Sequence, residues 1–337
     1  MGHKIGKAHS PHQGSQAFIP RVRAKRMFPC ISNWPKTDAT RLLGFAGYKA
    51  GMSHVTYVDN HPHSPTKGET ICVPVTVLEV PKTKIYSIRL YGKNDRRQKV
   101  CLLEVQTDKI TKDLGNRLTL PKKKKNVEAE LKKAENLLHR TEDVSVAVYT
   151  MPEGIFGKKK PDIFEIRIGG KTIKEKFDYA KSILGKDVSA KEVLKPGELV
   201  DIIAVTKGKG FQGPVKRMGV KIQPRYKSDT TRRGVASIGP DVPRKVLWQV
   251  PMGGQMGFHN RVDYKKWILK IGENGTDINP KAGFLGYGNV IGEYIIIHGS
   301  VPGPAKRLIR MRLTVKPRGH IPTQVPEILT VSKVEKK

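Results

Sequence analysis

Gly208, Gly210 and Gly213 form a G-x-G-x-x-G spacing directly after the apolar run 199–206, and Asp229 follows about twenty residues after the first glycine. That pattern suits a dinucleotide: glycines bring the backbone to the pyrophosphate, a helix N-terminus faces it, and the acid takes a ribose hydroxyl. The context argues against it, because a helix must follow, and Pro214, Gly219 and Pro224 interrupt any helical period here among cations. The same glycines let a backbone approach a polyanion, with Lys207 and Lys209 on its phosphates and Phe211 free to stack on a base. His259, beside Asn260 and Arg261, has no neighbouring acid to orient it, so a hydrogen-bonding or stacking role is expected rather than acid–base catalysis. Trp248 stands between Arg244-Lys245 and the glycine-rich residues 252–257, as a stacking platform or as a lone hydrophobic anchor. Cys30, Cys72 and Cys101 lie far apart with no C-x-x-C pair, and His3, His9 and His12 have no Cys or acid to complete a metal shell. No paired carboxylates and no serine nucleophile elbow stand out.

These residues belong to a segment with an unusual balance. Residues 207–261 hold twelve Lys and Arg against Asp229 and Asp241, with nine Gly and five Pro. Their apolar residues are too scattered to build a core, and ordering each residue costs roughly 1–2 kcal/mol. A single conformation would then have to be imposed from outside, by something polyanionic. Residues 1–41 read the same way, with Lys4, Lys7, Arg21, Arg23, Lys25, Arg26, Lys36 and Arg41 against Asp38 alone. They are expected to form a basic arm without a core of its own.

The whole chain agrees. It has 337 residues, 63 Lys and Arg, 30 Asp and Glu and a formal charge of +33. Such a charge repels itself in a compact state unless a counter-charged partner is present. Nucleic acid fits better than an anionic membrane, since no long basic amphipathic helix is visible. No apolar leader opens the chain, position 6 is Gly6 where a myristoylation signal needs Ser or Thr, and the apolar runs are of strand length.

The positioning elements are mainly β. Small and large residues alternate over 42–52, which predicts a strand, a glycine turn and a second strand through 59. Further strands are expected at 71–80 and 86–91. The segment 92–190 is different: it holds fifteen of the acids and a net charge of only +8. Val127, Leu131, Ala134 and Leu138 recur at helical spacing behind a plausible N-cap, Asn126. Ile173, Phe177, Ala180 and Leu184 mark a second helix that stops at Gly185. With strands at 144–150 and 163–168, this predicts an α+β insertion with a small core. The lysine run 122–125 opposes the dipole of the first helix, which a bound phosphate would relieve; a solvated run is the alternative. A buried strand at 199–206 and strands at 267–271, 290–298 and 308–315 resume the sheet, and residues 316–337 are expected as an extended tail. The domain reading is therefore an arm (1–41), a discontinuous β unit (42–91, 191–206 and 262–315), an insertion (92–190), a basic extension (207–261) and a tail (316–337).

At this point a resemblance becomes specific. Gly44-Phe45-Ala46-Gly47-Tyr48-Lys49-Ala50-Gly51-Met52 resembles the N-terminal barrel motif of the universal L-three family of large-subunit ribosomal proteins. Thr206-Lys207-Gly208-Lys209-Gly210-Phe211-Gln212-Gly213 resembles that family's hallmark; Arg232-Arg233-Gly234 with Ile238-Gly239, Val246-Leu247-Trp248 and residues 257–261 resemble its long central loop, and residues 299–308 resemble its last barrel segment. The match covers nearly the whole chain, and the length of the insertion is similar to the archaeal form. Where the eukaryotic pattern has aromatic and His residues after the Ile-Gly, this chain has Pro240-Asp241-Val242.

The resemblance implies a six-stranded translation-protein-type β-barrel with an α+β insertion, an N-terminal arm and a long central loop. It implies a non-enzymatic constituent of the large subunit, without a cofactor, metal or small-molecule substrate and without a membrane, working in the cytoplasm. The implied partners are large-subunit ribosomal RNA, bound near its 3′ end to nucleate assembly, and neighbouring ribosomal proteins. The central loop would reach toward the peptidyl transferase centre, with Trp248 near its tip. The residues expected on RNA are Arg21, Arg23, Lys25 and Arg26 of the arm, Lys207, Lys209, Phe211, Lys216, Arg217, Arg225 and Lys227, then Arg232, Arg233, Arg244, Lys245, Trp248, His259 and Arg261. Two rivals remain: an RNA-modifying enzyme with a glycine-rich cofactor loop, and a DNA-compacting protein.

Overall fold

The glycine-rich stretch after Leu43 builds one strand instead of two. In the computed structural model, which describes residues 14–61, 63–120, 126–151, 155–225, 232–316 and 325–332, β1 runs unbroken over Gly44–Val58. The expected glycine turn is absent because these glycines serve close packing. A Cβ on Gly44 would collide with the Met311 carbonyl oxygen, and one on Gly51 would lie 2.5 Å from Phe284 Cδ1. A bulge between Lys49 and Gly51 bends the strand without ending it.

β2 (Thr70–Glu79) pairs antiparallel with β1. The chain then builds the insertion from β3 (Thr83–Lys93), β4 (Lys99–Gln106), α1 (Lys112–Gly115), α2 (Val127–Asn136), β5 (Thr141–Thr150), β6 (Ile163–Arg167), α3 (Ile173–Ile183), β7 (Asp187–Val188) and α4 (Ala190–Val193). β8 (Leu199–Val205) returns to the first sheet. The basic extension carries β9 (Phe211–Gln212), α5 (Pro214–Met218) and β10 (Gly254–Gln255). β11 (Asn260–Gly272), β12 (Tyr294–His298), β13 (Leu308–Leu313) and β14 (Glu327–Val331) complete the order. The chain is mainly β, as expected.

The first sheet runs β13-β8-β11-β12-β2-β1-β14, and β13 also pairs β1. Six strands therefore form a pairing path that returns to its start. β14, placed by sequence in an extended tail, adds to β1 from Val55 to Val58. The second sheet runs β4-β3-β5-β6, with β7 on β3, and α2 and α3 pack on β4 and β5. Local signals explain both helices. The Asn126 side chain accepts from the Glu128 N–H at 3.0 Å, and Thr172 and Glu175 form a capping box before α3. Phe177 and Ala180 bury the inner face of α3, and a buried phenyl ring contributes about 1.5–3 kcal/mol. Both sheets share one apolar cluster, which includes Phe45, Leu78, Ile88, Leu90 and Phe177. Tyr86, Leu114, Ala147 and Tyr149 form a satellite within the insertion.

The chain divides into two compact units: Met27–Ala204 with Arg261–Lys337, and Met1–Arg26 with Val205–Asn260. The division departs from the expected arm boundary at residue 41. Phe28 and Trp34 belong to the apolar cluster, and β13 holds the backbone around them. Arg310 Nη1 donates to the Pro29 carbonyl at 3.1 Å, and Arg312 Nη1 donates to that of Asn33. Among the described residues no helix is long and apolar enough to cross a membrane.

Candidate nucleic-acid interface

The second unit is built from residues with little apolar content, so hydrogen bonds shape it. β9 and β10 form a two-residue ladder, with Phe211 opposite Gln255 and Gln212 opposite Gly254. Lys209 N–H donates to the Met256 carbonyl at 3.0 Å, and Met256 N–H returns to that of Gly210 at 2.9 Å. Gly257, at φ 71°, is required there, since a Cβ would collide with the Lys207 carbonyl oxygen.

A helix does follow Gly213, contrary to the sequence expectation. Pro214 occupies its first turn, where a missing N–H costs nothing, and Gly219 closes it at φ 73°. Its five residues make less than one and a half turns, too few to align the peptide dipoles that a dinucleotide site requires.

Three of the residues expected on RNA also brace the unit from within. Arg217 Nε donates to the Gln255 carbonyl at 3.0 Å and its Nη1 to that of Met252 at 2.8 Å. Burial, and then the charge of Arg21, lower the Arg217 pKa. Arg21 donates to the Arg217 carbonyl at 3.5 Å, to that of Ser15 at 3.4 Å and to Met218 Sδ. His259 is 6% exposed. Its Nδ1 donates to the Val22 carbonyl at 2.8 Å, and its N–H donates to Thr206 Oγ1 at 3.1 Å. Its ring therefore ties the arm to the base of the extension and cannot stack on a base as it stands. Arg23 lies 5.5 Å over the ring of Phe258, whose carbonyl accepts from Ala24 N–H at 2.8 Å. The arm from Gly14 to Arg26 and the base of the extension thus order each other. Sequence counting missed this, because most of the partners are backbone carbonyls.

The remaining expected residues face outward. Lys25, Arg26, Lys207, Lys209, Lys216, Arg225, Arg232, Arg233, Arg244 and Lys245 are exposed, as is Arg23. Arg232 Nε reaches the Gln223 carbonyl at 3.4 Å. Arg261, on β11 of the other unit, is half-buried, and Lys227 lies outside the described residues, as does the run 122–125. Among the described residues, none of Lys207, Lys209, Lys216, Arg225, Arg233, Arg244 and Lys245 pairs with a carboxylate. Phe211 and Trp248 are 79% and 63% exposed. Uncompensated cations interleaved with open aromatic rings can hold phosphates and stack bases, each stacked base being worth about 1–3 kcal/mol.

Comparison with known proteins agrees with this chemistry. The profile of the family described as ribosomal protein L3 matches residues 1–331. The chain is 49% identical to the large ribosomal subunit protein uL3 of Methanocaldococcus jannaschii, over 100% of this chain and 99% of the relative. It is 48% identical to that of Archaeoglobus fulgidus, covering 92% and 93%, and 46% identical to that of Methanopyrus kandleri, covering 97% and 91%.

Proposed function

This chain belongs to the ribosomal protein L3 family, and from that premise we propose how it serves the large ribosomal subunit, of which it is a structural constituent. The six strands whose pairing returns to its start act as the translation-protein-type barrel of the family. The unit of arm and extension is the surface that meets large-subunit ribosomal RNA. Lys207, Lys209, Lys216, Arg225, Arg232, Arg233, Arg244 and Lys245, with Arg23, Lys25 and Arg26, neutralise phosphates that would otherwise repel one another as RNA helices pack. Lys227 and Arg261 extend this set. Phe211 and Trp248 stack on bases, while Arg21, Arg217 and His259 hold the surface in shape.

Binding near the 3′ end of that RNA nucleates subunit assembly. The extension points toward the peptidyl transferase centre, with Trp248 near its tip, and neighbouring ribosomal proteins complete the surroundings. The role is structural and not enzymatic, and its place is the cytoplasmic ribosome. The observation that carries this reading is that, among the described residues, Lys207, Lys209, Lys216, Arg225, Arg233, Arg244 and Lys245 have no carboxylate partner and stand with the exposed rings of Phe211 and Trp248. Trp248→Ala tests it. The variant should enter large subunits yet alter chemical reactivity of the RNA around the catalytic centre; an unchanged probing pattern there would remove Trp248 from the tip.

A further inference from the structure

Residues 155–160 read Ile-Phe-Gly-Lys-Lys-Lys and join β5 to β6 within the insertion. A lysine run on a loop is ordinarily a solvated, fluctuating face. This one is fixed from beneath. The Phe156 ring packs edge-on to Tyr48 at 5.3 Å and against Tyr287 at 5.2 Å. Lys158 pairs with the buried carboxylate of Asp162, and its Nζ lies 4.9 Å over the Tyr48 ring. Tyr48 Oη donates to the same carboxylate at 2.8 Å, and burial raises the pKa of that phenol, which keeps its proton in place. Tyr287 in turn donates to the buried Glu79. Lys158 is therefore spent inside the fold, while Lys159 and Lys160 are exposed and, among the described residues, pair with no carboxylate.

A third cation comes from a distant part of the chain. Lys306, also exposed, sets its Nζ 5.7 Å from the centre of the Phe156 ring, and its N–H donates to the Lys49 carbonyl at 2.8 Å. Its φ is +68°, and those of Phe156 and Gly157 are +33° and +69°. Left-handed backbone at two non-glycine residues is costly and persists where the surroundings over-determine it. A Cβ on Gly157 would meet nothing within 4 Å, so the glycine answers to the turn itself and not to crowding. An aromatic plug and a buried ion pair thus fix the loop that carries Lys159 and Lys160, and the same Phe156 ring receives Lys306. Like charges gathered on one loop and its neighbour repel unless an anion is bound there.

We infer that Lys159, Lys160 and Lys306 form a pre-ordered phosphate-binding point for the RNA backbone, separate in sequence from the arm and the extension. The inference rests on the reading of this chain as a ribosomal RNA-binding protein. Backbone phosphate is the ligand, because the exposed groups are point-charge ammoniums and the Phe156 ring of the loop is packed on Tyr48 and Tyr287.

Lysine-modification footprinting of the full chain, free and bound to large-subunit ribosomal RNA, tests it. Lys159, Lys160 and Lys306 should lose reactivity on binding, as Lys207 and Lys209 do. In parallel, the variant Lys159→Gln/Lys160→Gln/Lys306→Gln, altered only at exposed side chains, should shallow the log affinity against log salt slope by about 2–3. Protection of Lys207 and Lys209 with Lys159, Lys160 and Lys306 unprotected would overturn this site alone. Absence of protection at all five would overturn the RNA-binding reading as well.

Discussion

Arg312 is 5% exposed and grips a fully buried carboxylate: its Nη2 and Nε lie 3.1 and 3.2 Å from Asp201 Oδ2. The backbone N–H groups of Lys265 and Val315 also donate to Asp201, at 3.1 and 3.2 Å. Arg310, two residues away on β13, is held by burial at a pKa of about 10, so it is still charged at neutral pH. These two arginines carry the same sign as Lys207 but work inside the fold, where they collect the backbone around Pro29 and Asn33. Removing one partner strands the other in a low-dielectric interior. Arg312→Ala should therefore cost about 3–5 kcal/mol, read as a lowered urea midpoint, and a loss below about 1 kcal/mol would contradict the account. Charge counting alone could not separate these roles. The alternation Ile309, Arg310, Met311, Arg312, Leu313 was a usable signal, because period two in a strand places both arginines on one face.

At the scale of elements, β1 shows how a correct motif can suggest a wrong shape. The alternation of small and large residues was legible, but glycine has two uses, and the sequence does not say which applies. At Gly44 the use is contact. An added Cβ would meet the Met311 carbonyl oxygen, Trp34 Cζ3 at 3.0 Å and Arg312 Cα at 3.3 Å. Gly44→Ala should destabilise the protein by about 1–3 kcal/mol, since the obstacle is largely backbone. Gly213, at φ −68° with nothing within 4 Å of an added methyl, should tolerate alanine within about 0.5 kcal/mol. Equal urea midpoints for the two variants would contradict the packing argument. Bulges explain another gap. β4 was missed because Leu102 is skipped in the pairing, which joins Leu90 to Leu103 and Tyr91 to Cys101, and so breaks the period of two. The helix α2 was legible because the N-cap Asn126 and an apolar period agree, and α3 because its apolar period runs up to a glycine stop at Gly185.

For the whole molecule, the +33 charge is unevenly compensated. In the insertion, ion pairs such as Arg89 with Glu104 at 3.1 Å, Lys99 with Asp143 at 2.6 Å and Arg167 with Asp143 at 2.9 Å offset much of it. On the extension, Lys207, Lys209, Lys216, Arg225, Arg233, Arg244 and Lys245 have no carboxylate partner among the described residues. The sign and class of the partner were therefore legible from composition. The mutual ordering of arm and extension was not, since Val22, Met252, Gln255 and Phe258 contribute carbonyls, which every residue has. The proposed RNA-facing surface is thus held in shape by hydrogen bonds within the chain. The most direct test is the salt dependence of affinity for large-subunit ribosomal RNA. If roughly eight phosphates are neutralised, log affinity should fall against log salt with a slope of about −6 to −7. A slope near about −1 would mean that about one phosphate is met, and the account would fail.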